Sequence, residues 1–150
     1  MSDNWIIIIP ESVDFIPTEE AQKRAVELFS RLAPNADEVK ASTTADVEFI
    51  WCGGNFERVI CPACGKELDT DWWVDCMDEE AKVHFPLEQL EMPCCRAKLS
   101  LNELKYEWPQ GFARFSVEVM NPKIRGLSEE DMEEFEHLLG CKVRKILRHI

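Results

Sequence analysis

The sequence contains no apolar run long enough to cross a bilayer. The longest near its start, Trp5–Ile9, is closed by Pro10, whereas a spanning helix needs roughly 20 residues. No basic segment precedes that run, so it does not read as an export signal, and a cytoplasmic location is expected. Positive charge is scarce. Lys and Arg number 17 against 29 Asp and Glu, a formal net charge of −12, and a field of that sign repels phosphate backbones. Nucleic acid is therefore disfavoured as a partner, and the charge is compatible with solubility and with docking onto a basic protein. Low-complexity tracts and short internal repeats are missing. Gly53-Gly54 lacks the Lys-Ser/Thr that a phosphate-binding loop requires. His137 and His149 stand near no serine, cysteine or carboxylate set, and no nucleophile–base–orienter group can be assembled.

What is present suffices for one folded domain. The chain has 150 residues, 45% of them hydrophobic, enough to bury a core and to exclude wholesale disorder. Trp5–Ile9 is continuously apolar and reads as a strand covered on both faces. Thr18–Leu32 reads as a helix: Thr18 can cap it, Glu19 and Glu20 suit its first turn, and Ala21, Ala25, Leu28, Phe29 and Leu32 share one face. Val47–Trp51 alternates as a half-buried strand, and Gly53-Gly54-Asn55 predicts a turn that returns Phe56–Ile60 as its hairpin partner. Asp71–Val83 suits a short helix carrying Trp72, Trp73, Cys76, Met77 and Ala81.

Ala113, Phe115, Val117 and Val119 alternate with Arg114, Ser116 and Glu118, a clear strand signal. Ser128 with Asp131 approximates a capping box, Leu127 with Met132 occupies staple positions, and Gly140 sits where a C-terminal cap belongs. Val143–Ile150 has helical spacing, but its length and position favour a closing strand. Two strand–helix–strand halves, 1–57 and 109–150, predict an α+β fold. It is a split β-α-β (ferredoxin-like) sandwich with both helices on one face and 58–108 inserted as a separate module.

That module carries the chemistry. Cys61-Pro-Ala-Cys64-Gly65 places two thiolates two residues apart, so both can reach one ion from a tight turn, and Gly65 supplies the permissive backbone such a turn needs. A structural zinc needs four ligands. The second contributor is Met92-Pro93-Cys94-Cys95, a similar knuckle whose first cysteine is replaced by Met92. Adjacent cysteines ligate together only through an unusual backbone, so His84 and Cys76 are reserve candidates for the fourth position beside the set Cys61, Cys64, Cys94 and Cys95. Clustered cysteines in a chain without an export signal are more often metal ligands than disulfides. A redox dithiol lacks the helix start that lowers a thiol pKa. A catalytic zinc would keep an open position, usually with His or carboxylate ligands.

Cys61–Leu104, with its Cys-Pro-x-Cys-Gly knuckle, resembles the zinc-ribbon group. Pro93–Leu104 followed by Tyr106–Phe115 also resembles an uncharacterised bacterial family of similar length, which brings no established activity. Ribbons serve transcription, ribosomes, enzymes and adaptors alike, so the likeness implies a metal and little chemistry.

Other features have plain structural readings. Cys52 reads as a buried strand-end thiol. Trp72 and Trp73 diverge on a helix, one to the core and the other to an interface or the zinc packing. Glu129–Glu136 is a solvated acidic face or a docking surface for a basic partner. Lys142, Arg144, Lys145 and Arg148 either pair with those acids or form a small nucleic-acid patch, with no aromatic residue interleaved. The function these features favour is a non-catalytic, acidic, zinc-binding protein-interaction module of adaptor, regulator or immunity/inhibitor type. The alternatives are an enzyme or enzyme accessory domain with active groups near the ribbon, and a zinc-ribbon nucleic-acid binder.

Overall fold

The computed structural model describes residues 2–150. Eight strands and three helices follow one another as β1 (Asn4–Pro10), α1 (Glu19–Leu32), β2 (Glu38–Ile50), β3 (Arg58–Ile60), α2 (Thr70–Ala81), β4 (Leu90–Glu91), β5 (Lys98–Leu99), β6 (Lys105–Glu107), β7 (Gly111–Met120), α3 (Glu129–Leu139) and β8 (Val143–His149). The architecture is mixed α+β. Four strands form the main sheet in the order β2-β7-β1-β8, every neighbouring pair antiparallel. The small strands make two ribbons, β3 with β6 and β4 with β5.

β1 is central because its four isoleucines have no polar face to offer water: Ile6–Ile9 are all at most 5% exposed. Ile6 and Ile8 pack with Phe115, Val117 and Val119 of β7 under the two helices, while Ile7 and Ile9 join Cys52, Ala113 and Ile146 on the opposite face. Both helices start as their sequences predict. The Thr18 hydroxyl accepts from the Ala21 N–H at 3.1 Å. Ser128 and Asp131 exchange side-chain-to-backbone bonds in a full capping box, and Gly140 closes α3 with a left-handed φ of 77°. The helices meet through Phe29 and Phe135, whose ring centroids are 4.6 Å apart. The final segment is a strand, paired with β1 over its whole length.

Two expectations are corrected. β2 runs for 13 residues from Glu38, not five from Val47, and its register with β7 shifts between Thr43 and Glu48. As an edge strand it buries little on one side, and the irregularity breaks the period of two, so Glu38–Asp46 carries no alternating signal. Val47 and Phe49 do pack inward, but Trp51 lies past the strand end and is 46% exposed.

The turn at Gly53-Gly54-Asn55 closes no hairpin either: β3 pairs with β6 and not with β2. The chain instead crosses to the far edge of the sheet. The Gly54 N–H donates to the His149 carbonyl at 2.7 Å, the His149 N–H donates to the Cys52 carbonyl at 3.3 Å, and the Asn55 amide donates to the Leu147 carbonyl at 3.0 Å. Gly53 makes the crossing possible. Its φ is +67°, and a Cβ there would lie 2.3 Å from the His149 oxygen. Cys52, fully buried beneath the strap, donates its thiol to the Gln110 side-chain oxygen at 3.1 Å.

The segment between β3 and β6 has its own apolar centre, built on Trp73. Its ring stacks on Phe56 at 5.2 Å and meets Tyr106 edge-on at 5.8 Å. That cluster continues into the sheet through Phe49 and Phe112. Trp72, half-buried, packs against the same cluster. The Trp73 indole N–H donates to the Tyr106 hydroxyl at 3.1 Å, which donates to the Leu101 carbonyl at 2.6 Å. Burial pushes the Tyr106 phenol well above its usual range, keeping the proton that makes this relay. Tyr106→Phe leaves a buried N–H and a buried carbonyl without partners, an expected loss of about 1–3 kcal/mol by denaturant unfolding.

Candidate metal centre

Cys61 and Cys64 sit on a knuckle that follows β3. The Cys61 N–H donates to the Lys66 carbonyl at 2.9 Å, and the Gly65 N–H donates to the Cys61 carbonyl at 2.8 Å, with Gly65 at a φ of 79°. The turn between β4 and β5 repeats this pattern. The Met92 N–H donates to the Ala97 carbonyl at 2.8 Å, and the Arg96 N–H donates to the Met92 carbonyl at 2.8 Å, with Arg96 at a φ of 64°. Met92 thus stands where Cys61 stands, Cys95 where Cys64 stands, and Arg96 takes the left-handed position of Gly65.

Met92 cannot serve as a thiolate. It is fully buried in the apolar cluster around Trp73, and Cys94 supplies the missing sulfur. Cys61, Cys64, Cys94 and Cys95 bring their Sγ atoms within 4.8 Å of one another. The Cys61–Cys95 sulfurs are 3.8 Å apart and the Cys64–Cys94 sulfurs 3.3 Å apart. Four sulfurs at about 2.3 Å from a common centre in a tetrahedron are about 3.8 Å from each other. The cluster fits a tetrahedral ion, and these four cysteines could hold one.

The reserve candidates lie elsewhere. His84 is directed to Asp46, with 3.6 Å from Nδ1 to the carboxylate, and Cys76 packs into the cluster around Trp73. Neither belongs to the sulfur group among the described residues. The adjacent Cys94 and Cys95 both point to it, and the left-handed Arg96 is the unusual backbone that accompanies them.

The thiols are electrostatically unequal. Burial pushes the Cys61 thiol up, but the backbone N–H groups of Cys64 and Ala63 and the neighbouring sulfurs outweigh it and bring the group to about 7. Cys94 is pushed up to about 12 by burial and by the thiols of Cys64, Cys61 and Cys95. Four thiolates this close cannot coexist without a cation, which is the charge state a bound divalent ion restores. Cys61 is wholly buried and Cys94 partly so, while Cys64 and Cys95 reach the surface. The arrangement can anchor a metal with four sulfurs, and among the described residues no histidine or carboxylate joins the group.

Comparison with known proteins adds no relative: no family model, curated protein or solved structure matches the chain. The cysteine group therefore stands on its own geometry. No helix among the described residues is long and apolar enough to cross a membrane.

Proposed function

We propose that this is a non-catalytic zinc protein of the cytoplasm that acts by binding another protein, as an adaptor, regulator or immunity-type inhibitor does. The observation that carries the reading is the all-sulfur ligand group. A catalytic zinc keeps a position for water or substrate, usually among His and carboxylate ligands, whereas four thiolates close the coordination sphere. Zinc is the natural occupant of a tetrahedral four-sulfur site. In this reading the ion ties the two knuckles into a zinc ribbon inserted between the halves of a split β-α-β sandwich. The sheet order β2-β7-β1-β8 and the packing of both helices on one core support that assignment.

The partner is a basic protein, because the chain carries a net charge of −12 and Glu129, Glu130, Glu133 and Glu134 all project from α3 into solvent. The test is capture from the native host with purified protein, followed by native mass spectrometry of the complex. A basic protein bound at fixed stoichiometry, with one zinc per chain, is expected. Recovery of chaperones alone would contradict the reading.

A further inference from the structure

A groove on the molecule carries charge that runs against its composition. It lies along the β8 edge of the sheet, has a volume of about 590 Å³, and brings together Trp5, Trp108, Arg125, Lys145, Arg148 and His149. Among the described residues no carboxylate lines it. Four other grooves on the molecule each carry two: Glu48 and Glu118, Asp3 and Asp37, Glu19 and Glu27, Asp14 and Asp46. In a chain with 29 acidic residues, a concave surface that sets cations and indoles among aliphatic side chains such as Ile124 and Leu147, with no acid between them, calls for a ligand of matching chemistry.

We infer that this groove binds a nucleotide, with its base against tryptophan and its phosphate held by Arg125 and Lys145. The residues come from four separate places in the chain, which is why the basic stretch near the C-terminus reads as lacking aromatics. Antiparallel pairing sets Trp5 directly opposite Arg148, and the guanidinium lies over the indole, 5.9 Å from its centroid. Arg148 is fixed in place by donating to the Trp51 carbonyl at 2.7 Å and by the Glu118 carboxylate 4.0 Å from its guanidinium, so it steadies the indole and leaves the anion to Arg125 and Lys145. Arg125 and Lys145 have no acidic partner within ion-pairing distance among the described residues, so their charge is free to meet an anion. Trp108 is 39% exposed and offers a stacking surface. His149 bonds Asn4 Oδ1 through Nδ1 at 2.7 Å, an orientation that leaves Nε2 for a ligand. The volume falls in the range of small-ligand sites, about 300–1,000 Å³. The net charge of −12 does not forbid this, because exposed charges beyond about 8 Å are largely screened at physiological salt.

The same chemistry reaches the groove from a free nucleotide or from a single strand, and affinity separates the two. Tryptophan fluorescence is titrated with AMP, with a hexa-adenylate RNA and with inorganic phosphate at physiological salt and over a salt series around it, using the wild-type protein, Lys145→Glu, Arg125→Glu and Trp108→Ala. Saturable quenching is expected, at least tenfold weaker in either charge reversal. Trp108→Ala is expected to lose about tenfold, within the range for base–aromatic stacking. A hexamer bound over tenfold more tightly than AMP, with a salt slope that falls by about 0.7 in Lys145→Glu, identifies a strand; equal affinities identify the free nucleotide. Metal content and far-ultraviolet circular dichroism should match wild type in all three variants, so any loss of binding is local. Absence of saturable binding by both nucleotide probes would overturn the inference. So would binding that survives the charge reversals, or phosphate competing as well as AMP does.

Discussion

Removing the proposed zinc with a strong chelator, or replacing Cys61 with serine, is expected to unfold the segment between β3 and β6. The apolar cluster around Trp73 is small, and the knuckles that bracket it are held by short ribbons: β4 pairs with β5 through only two residue pairs. Structural zinc contributes on the order of 10 kcal/mol in domains of this kind, more than such a cluster supplies alone. The near-ultraviolet circular dichroism of Trp72, Trp73 and Tyr106 should collapse, and proteases should cut between Cys61 and Cys95. Much of the far-ultraviolet signal should persist, because β1, β2, β7 and β8 pair independently of the knuckles. Acid works in the same direction. Zinc binding displaces thiol protons, so occupancy falls as the pH drops and the sulfurs are reprotonated. Cys141→Ser is the control, since that thiol lies outside the sulfur group, and it should retain full metal content. Metal content unchanged in Cys61→Ser would refute the assignment.

The second large effect is expected at Gly53. Alanine there must adopt a φ of +67° and bring its Cβ within 2.3 Å of the His149 oxygen. The left-handed conformation alone costs about 1–2 kcal/mol. Backbone on the other side of the contact cannot swing away like a flexible side chain, so the total should exceed about 3 kcal/mol. That corresponds to a fall in Tm of at least about 6 °C for a chain of this length. Gly54→Ala separates the two causes. Its Cβ would meet the same oxygen at 3.4 Å, and its backbone φ is not left-handed, so a change within about 0.5 kcal/mol is expected. Equal losses at both positions would mean that the strap is not anchored as described.

How legible these features were depended on how local their causes are. Thr18, Ser128, Asp131 and Gly140 act within one helical turn of themselves, and the structure uses each as its neighbours predict. Cys61 and Cys64 are legible for the same reason. The second knuckle was less plain, because Met92 stands in the first position; Cys94 was read into the set beside the reserves His84 and Cys76, and the fold places its sulfur with the other three. Gly53-Gly54 misled because a glycine pair serves a tight hairpin and a close crossing equally well, and its partner His149 lies almost 100 residues away. Of the groove beside β8 only the basic residues Lys145 and Arg148 were legible, as a small patch with no aromatic residue beside it. Trp5, Trp108, Arg125 and Lys145 meet only through the sheet order, which no spacing encodes.

The position of β1 has a consequence for biosynthesis. Both neighbours that hydrogen-bond to it, β7 and β8, belong to the last third of the chain; Ile7 pairs with Glu118 on one side and with Ile146 on the other. At about 5–20 residues per second, a ribosome takes roughly 5–25 s to add the residues that separate Ile7 from its first partner. For that interval four consecutive isoleucines have no native strand beside them. The nascent protein therefore completes its central sheet only after β7 and β8 have been made, and until then Ile6 and Ile8 have α1, but not Phe115, Val117 or Val119, to pack against.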